Sequence, residues 1–197
     1  LDPSDRDGGI RIQPWPVLGL YQPDAMVAFE SGGQTYLAMA NEGDARDYEG
    51  WSEVARVKDL DLDARAFPDA SVLRRDENLG RLKVSTAGGD ADGDGAYERL
   101  FAFGGRSFSI RDAAGELLFD SGDDFERRLA VLRGANFNSN GDDNDSFDRR
   151  SDDKGPEPEA IAHGVVDGRP YLFIGLERMG GIFVYDVSDP LAPGYAG

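Results

Sequence analysis

The 197-residue sequence contains no cysteine and a single histidine, His163. Without cysteine there are no disulfides and no thiolate for nucleophilic or metal chemistry. One histidine leaves no histidine-rich two-metal phosphoesterase centre and no second imidazole for alternative triads. His163 follows Ala160-Ile161-Ala162 on an alternating strand, where a packing or surface role is expected. Positive charge is scarce as well: 21 Lys and Arg stand against 38 Asp and Glu, giving a net charge of −17. So acidic a chain lacks the basic footprint that nucleic-acid phosphates or an anionic membrane surface require, and cations are its natural partners. No stretch approaches the roughly 20 consecutive apolar residues of a membrane span, so direct membrane insertion is not expected.

What is present supports a folded chain. With 40% hydrophobic and 10% aromatic residues, the sequence can bury a core in one domain or two small ones. Its most informative stretch is Asp90-Ala91-Asp92-Gly93-Asp94-Gly95-Ala96-Tyr97-Glu98. Carboxylates fall at loop positions 1, 3, 5 and 9, Gly95 allows the turn at position 6, and Ala96 offers a backbone carbonyl at position 7. Calcium takes six to eight oxygens at about 2.3–2.6 Å, and a loop of small residues coiling around one point supplies them. An EF-hand would need Glu at position 12, where this chain has Phe101. The nine-residue form resembles the calcium loops between strands of propeller blades, as in integrin α-subunits, and predicts an ion held in a β-hairpin.

A repeat organises the rest. Gln22-Pro23-Asp24-Ala25, Gly33-Gln34-Thr35-Tyr36-Leu37 and Asn41-Glu42 return 135 positions on as Glu157-Pro158-Glu159-Ala160, Gly168-Arg169-Pro170-Tyr171-Leu172 and Leu176-Glu177. Each copy reads as a hairpin turning at Gly32-Gly33 or Asp167-Gly168. A third unit lies between them, with strands through 100–103, 107–110 and 117–120 and turns at Gly104-Gly105 and Gly115. Short strands with glycine-rich turns predict an all-β chain, a β-propeller or part of one, with about three to four blades at roughly 40–50 residues each. The units run about 22–86, 97–120 and 157–187 of a single segment spanning 1–197, read as a fragment of a longer chain. Short helical insertions are expected at 68–74 and 123–132. The acidic loop 136–156 reads either as a solvated linker or as a second cation-binding loop.

Acids shared by the two copies fall near one rim: Asp24, Glu42, Glu159 and Glu177, with Asp44 and Asp47 beside them. Pairing with arginine or backbone would fix blade geometry there. A ligand or second metal site is the alternative.

Tyr21-Gln22-Pro23-Asp24-Ala25, Ala40-Asn41-Glu42-Gly43-Asp44-Ala45-Arg46-Asp47-Tyr48, Phe103-Gly104-Gly105-Arg106-Ser107-Phe108 and Asp152-Asp153-Lys154-Gly155-Pro156-Glu157-Pro158-Glu159 resemble the choice-of-anchor I domain over essentially the whole chain. The resemblance implies a secreted or surface-anchored bacterial β-propeller, similar to a cell-surface glycoprotein of animals, in a longer protein often labelled alkaline phosphatase or phytase-like. It also implies how a phosphatase would work. Calcium on Glu42, Asp44, Asp47, Glu159 and Glu177 would bind phosphate and activate water, while Arg46, Arg106 and Arg178 clamp the oxygens. The sequence as a whole therefore predicts an extracellular or cell-surface calcium-binding scaffold or binding module. Its expected partners are calcium and a polysaccharide, cell-surface protein or phosphate ester. A calcium-dependent phosphomonoesterase is the alternative.

Overall fold

The computed structural model describes residues 1–197. Three four-stranded sheets carry the chain, and two two-stranded pairings and two α-helices are added to them. Both predicted hairpins form. Ala25–Ser31 pairs with Gln34–Asn41, and Pro158–Val166 pairs with Arg169–Leu176. At each tip both central residues have positive φ, 58° and 76° at Gly32-Gly33 and 51° and 79° at Asp167-Gly168. That is the type I′ geometry whose twist matches the strands it joins.

The second sheet extends the first hairpin with Ser107–Asp112 and Leu117–Asp120, and the third continues the other hairpin through Ile182–Asp186 to Gly194–Tyr195. These two sheets share the larger core. Tyr36, Ala38, Phe108 and Ile110 from the second meet Leu172, Ile174, Phe183 and Tyr185 from the third. Repeat-equivalent residues face opposite ways: Tyr36 is buried in this core, whereas Leu172, the neighbour of its equivalent Tyr171, is the buried residue of the other sheet. Because side chains alternate along a strand, the two units are stacked front to back rather than related by a two-fold. Phe29 stacks on His163 where the two hairpins meet, with ring centroids 5.1 Å apart, so the lone histidine is a packing residue.

The helix Asp124–Leu132 closes this core by burying Phe125 and Leu129, and Tyr185 donates to Asp124 at 2.6 Å. The short helix Ala70–Leu73 lies against a second core under the first sheet. That sheet sets Leu18–Leu20 parallel to Phe101–Phe103, followed by Lys83–Ser85 and Val54–Arg56 in antiparallel order.

The central stretch is distributed differently from the units drawn above. Phe101–Phe103 belongs to the first sheet and Ser107–Asp112 to the second, so 97–120 is shared between two sheets, as is 22–86. The break between them is Gly104-Gly105, where the chain changes sheet. The loop 136–156 is a folded element: Asn138, Ser139, Ser146, Asp148, Ser151 and Asp152 are buried, and only 141–145 form a continuous exposed tip.

Candidate metal loop and charge network

The stretch Asp90–Glu98 forms a closed loop. Gly89 oxygen accepts from the Glu98 and Arg99 amides at 2.8 and 3.1 Å, pinching its neck. Asp90 accepts from the Gly93 and Gly95 amides, Asp92 from Asp94, Asp94 from Ala96, and Glu98 from Ala91. Gly93 and Gly95, at φ of 78° and 95°, supply the left-handed backbone this winding requires. One oxygen from each of Asp90, Asp92, Asp94 and Glu98 lies within 4.8 Å of all the others. Ligands about 2.3–2.6 Å from a calcium ion span that distance. The loop lies in the connection between Lys83–Ser85 and Phe101–Phe103, which pair antiparallel in the first sheet, and Ala96–Tyr97 adds a parallel pairing to Asp61–Leu62 that ties the loop to a distant segment as well.

The rim acids sort into a different set from the expected one. Glu42, Glu157 and Glu177 bring oxygens within 4.8 Å of one another, and Glu159 is not among them. The reason is local. The ladder pairs Pro158 with Leu176 and Ala160 with Gly175, leaving Glu159 unpaired in a bulge that displaces it from the cluster. Lys154 bridges two of the three, with Nζ 2.5 Å from Glu42 and 3.0 Å from Glu157. Arg150 and Arg178 also reach Glu157, at 2.5 and 3.3 Å, and Arg178 reaches Glu177 at 3.2 Å. Burial raises the Glu42 carboxyl, with Lys154 opposing. Burial acts on Glu157 too, but Arg150 and Lys154 overcome it and hold that carboxyl below its ordinary range. Asp24 is exposed. Asp44 and Asp47 line an adjoining cleft of about 310 Å³ with Lys83, Asp153 and Lys154.

Of the three arginines assigned to a phosphate clamp, two pair away from the glutamate cluster. Arg46 grips Glu53 through Nε and Nη2 at 3.1 and 3.0 Å, and this, with Ser85, brings the Glu53 carboxyl down to about 2. Arg106 is buried and donates to the carbonyls of Asp2, Ser151 and Asp153 and to the Glu126 carboxylate, all at 2.7–2.8 Å. Arg178 serves the glutamate cluster.

Sequence reasoning passed over a group of buried polar residues beside Arg106. Asp148, at φ 67°, accepts from Ser151 Oγ at 2.5 Å, and Asn138 donates to Ser151 and Glu126. Burial, with repulsion from Asp2, Asp7 and Asp5, pushes the Asp148 carboxyl up to about 8. Burial likewise lifts Asp2 to about 6, although the Arg11 amide donates to it at 2.7 Å. The available signal was the close spacing of Asp2, Asp5 and Asp7 near one end and of Asp148, Asp152 and Asp153 far along the chain.

These features define an acidic all-β module whose loops are fastened by arginine–carboxylate and lysine–carboxylate networks. The chain belongs to the choice-of-anchor I domain family, whose model matches residues 1–190. It is 36% identical over 127 residues to Gigasin-3a of Magallana gigas, covering 62% of this chain and 44% of that protein. A mesenchyme-specific cell surface glycoprotein of Strongylocentrotus purpuratus is 26% identical over 222 aligned positions, covering 95% of this chain and 28% of that protein. The chain thus spans less than half the length of either relative. No solved structure matches it. No helix is long and apolar enough to cross a membrane.

Proposed function

We propose that this chain is a calcium-binding β-propeller portion of a secreted or surface-exposed protein, acting as a binding or scaffold module. The convergence of Asp90, Asp92, Asp94 and Glu98 within 4.8 Å carries the calcium reading. The loop already has its carboxylates gathered on a backbone held by five amide donors, so little ordering is left for the ion to impose. The front-to-back stacking of the second and third sheets supports the propeller reading, because successive blades of a ring present opposite faces to each other. Similarity to a mesenchyme-specific cell surface glycoprotein supports an extracellular setting, where millimolar calcium suits a loop of this kind.

Calcium titration by calorimetry tests this on the chain and on an Asp92→Ala, Asp94→Ala variant. The expected result is one binding event in the parent that is lost in the variant. Equal heats in both proteins would remove the loop from consideration.

A further inference from the structure

We propose that a cleft of about 500 Å³ between the chain's opening segment, the first sheet and the 147–153 segment binds a sulfate or phosphate monoester carried on a sugar ring. Six cations line it in a protein whose net charge is −17: Arg6, Arg56, Arg81, Lys83, Arg149 and Arg150. Three carboxylates face them, Asp5, Asp152 and Asp153, so the cleft is locally positive.

The acids hold the cations in place. Asp152 is shared by Arg56 and Arg81 at 2.7 and 2.8 Å, and Asp153 by Lys83 and Arg150 at 2.8 and 3.1 Å. Side chains of these aspartates are only 7% and 13% exposed, whereas those of Arg56 and Lys83 are 28% and 35% exposed. The aspartates are therefore the more buried partners of these pairs, and the cations the more accessible ones. Arg56 spends only Nη1 on its partners, and Arg81 keeps Nη1 free. Arg149 has no carboxylate partner, and Arg6, 60% exposed, reaches only Asp5 at 3.5 Å. A network built solely to fasten the opening segment would have no use for these last two. Guanidinium groups cannot shed their charge and present planar forks of donors, which suit the oxygens of a tetrahedral oxyanion.

Phe147 adds the second half of the ligand. It is the one apolar side chain in the lining and is 39% exposed, a flat surface beside the cations on which the carbon face of a sugar can lie. The cleft shares no residue with the Asp90–Glu98 loop, so this inference and the calcium reading stand or fall separately.

Calorimetric titration at fixed ionic strength with glucose 6-sulfate, glucose 6-phosphate, inorganic sulfate and inorganic phosphate tests it. At least one sugar ester is expected to bind, and whichever ester binds more tightly identifies the source of the oxyanion. Arg149→Ala should weaken that ester about tenfold without lowering the melting temperature, since no ion pair is lost. Phe147→Ala should weaken the sugar ester while leaving the matching inorganic anion unchanged. Absence of ester binding in the parent, or unaltered ester affinity in both variants, would overturn the proposal.

Discussion

Gly43 and Gly104 lie backbone against backbone. A Cβ on Gly43 would overlap the amide and Cα of Gly104, and one on Gly104 would overlap the Glu42 carbonyl group. Both have positive φ, 88° and 76°. This contact brings the exit of the first hairpin to the point where the chain passes from the first sheet to the second.

Alanine at either glycine must therefore separate two main chains as well as strain its own. Gly43→Ala and Gly104→Ala should each cost more than about 2 kcal/mol, well above Gly32→Ala at an open hairpin tip, where only the positive φ is penalised. Urea unfolding of the three variants measures the difference, and equal losses would contradict it.

Calcium should stabilise the parent chain but not the Asp92→Ala, Asp94→Ala variant. At a dissociation constant of about 10⁻⁴–10⁻³ M, 10 mM calcium contributes about 1–3 kcal/mol through mass action. Thermal melts with calcium and with chelator read this directly. A parent melting temperature indifferent to calcium would count against the loop.

Lys154 stands between Glu42 and Glu157, so Lys154→Met leaves buried carboxylates facing one another without their ammonium. A loss of about 3–5 kcal/mol is expected. Adding Glu42→Gln should recover part of it, because one of the opposed charges is then gone. If the double variant is no more stable than Lys154→Met, the cluster is not limited by charge.

Asp148 and Asp2 bind protons more readily folded than unfolded, since burial lifts them to about 8 and about 6, well above the ordinary aspartate range. A raised carboxyl favours the folded state while protonated. Its contribution is present below the unfolded pKa and declines as pH rises through the folded one, between roughly pH 4 and 8. Asp148→Asn should flatten the fall in stability between pH 6 and 9 and raise the melting temperature at pH 8, while still accepting from Ser151. A parallel pH profile for the variant would show that Asp148 is not the responsible group.

The hairpins were legible because their causes are local: alternation along 25–31 and 34–41, and glycine or aspartate where positive φ is needed at the tips. The helix at 124–132 was legible for the same reason, with acids leading its first turn and Phe125 and Leu129 one turn apart. The carboxylate spacing of 90–98 also survived folding. Its further tie to Asp61–Leu62 was not legible, because the Ala96–Tyr97 pairing partner lies some 35 residues away. Glu159 was misplaced through a single bulge that no residue of the hairpin announces. The interior of 136–156 stayed hidden because Asn, Asp and Ser suit an exposed turn as readily as a buried network, and which they form depends on Arg106 and Asp2 arriving from elsewhere.

Arg106 joins four parts of the molecule, and their separations impose an order of events. The carbonyl of Asp2 lies 104 residues before it, Glu126 lies 20 after it, and the Ser151 and Asp153 carbonyls lie 45 and 47 after it. During synthesis the opening segment meets its partners in stages: Ser4 and Asp5 can reach Asp76 and Arg81 first, whereas the Asp2 carbonyl waits for Arg106, and this hub is complete only when the helix and the loop have also left the ribosome.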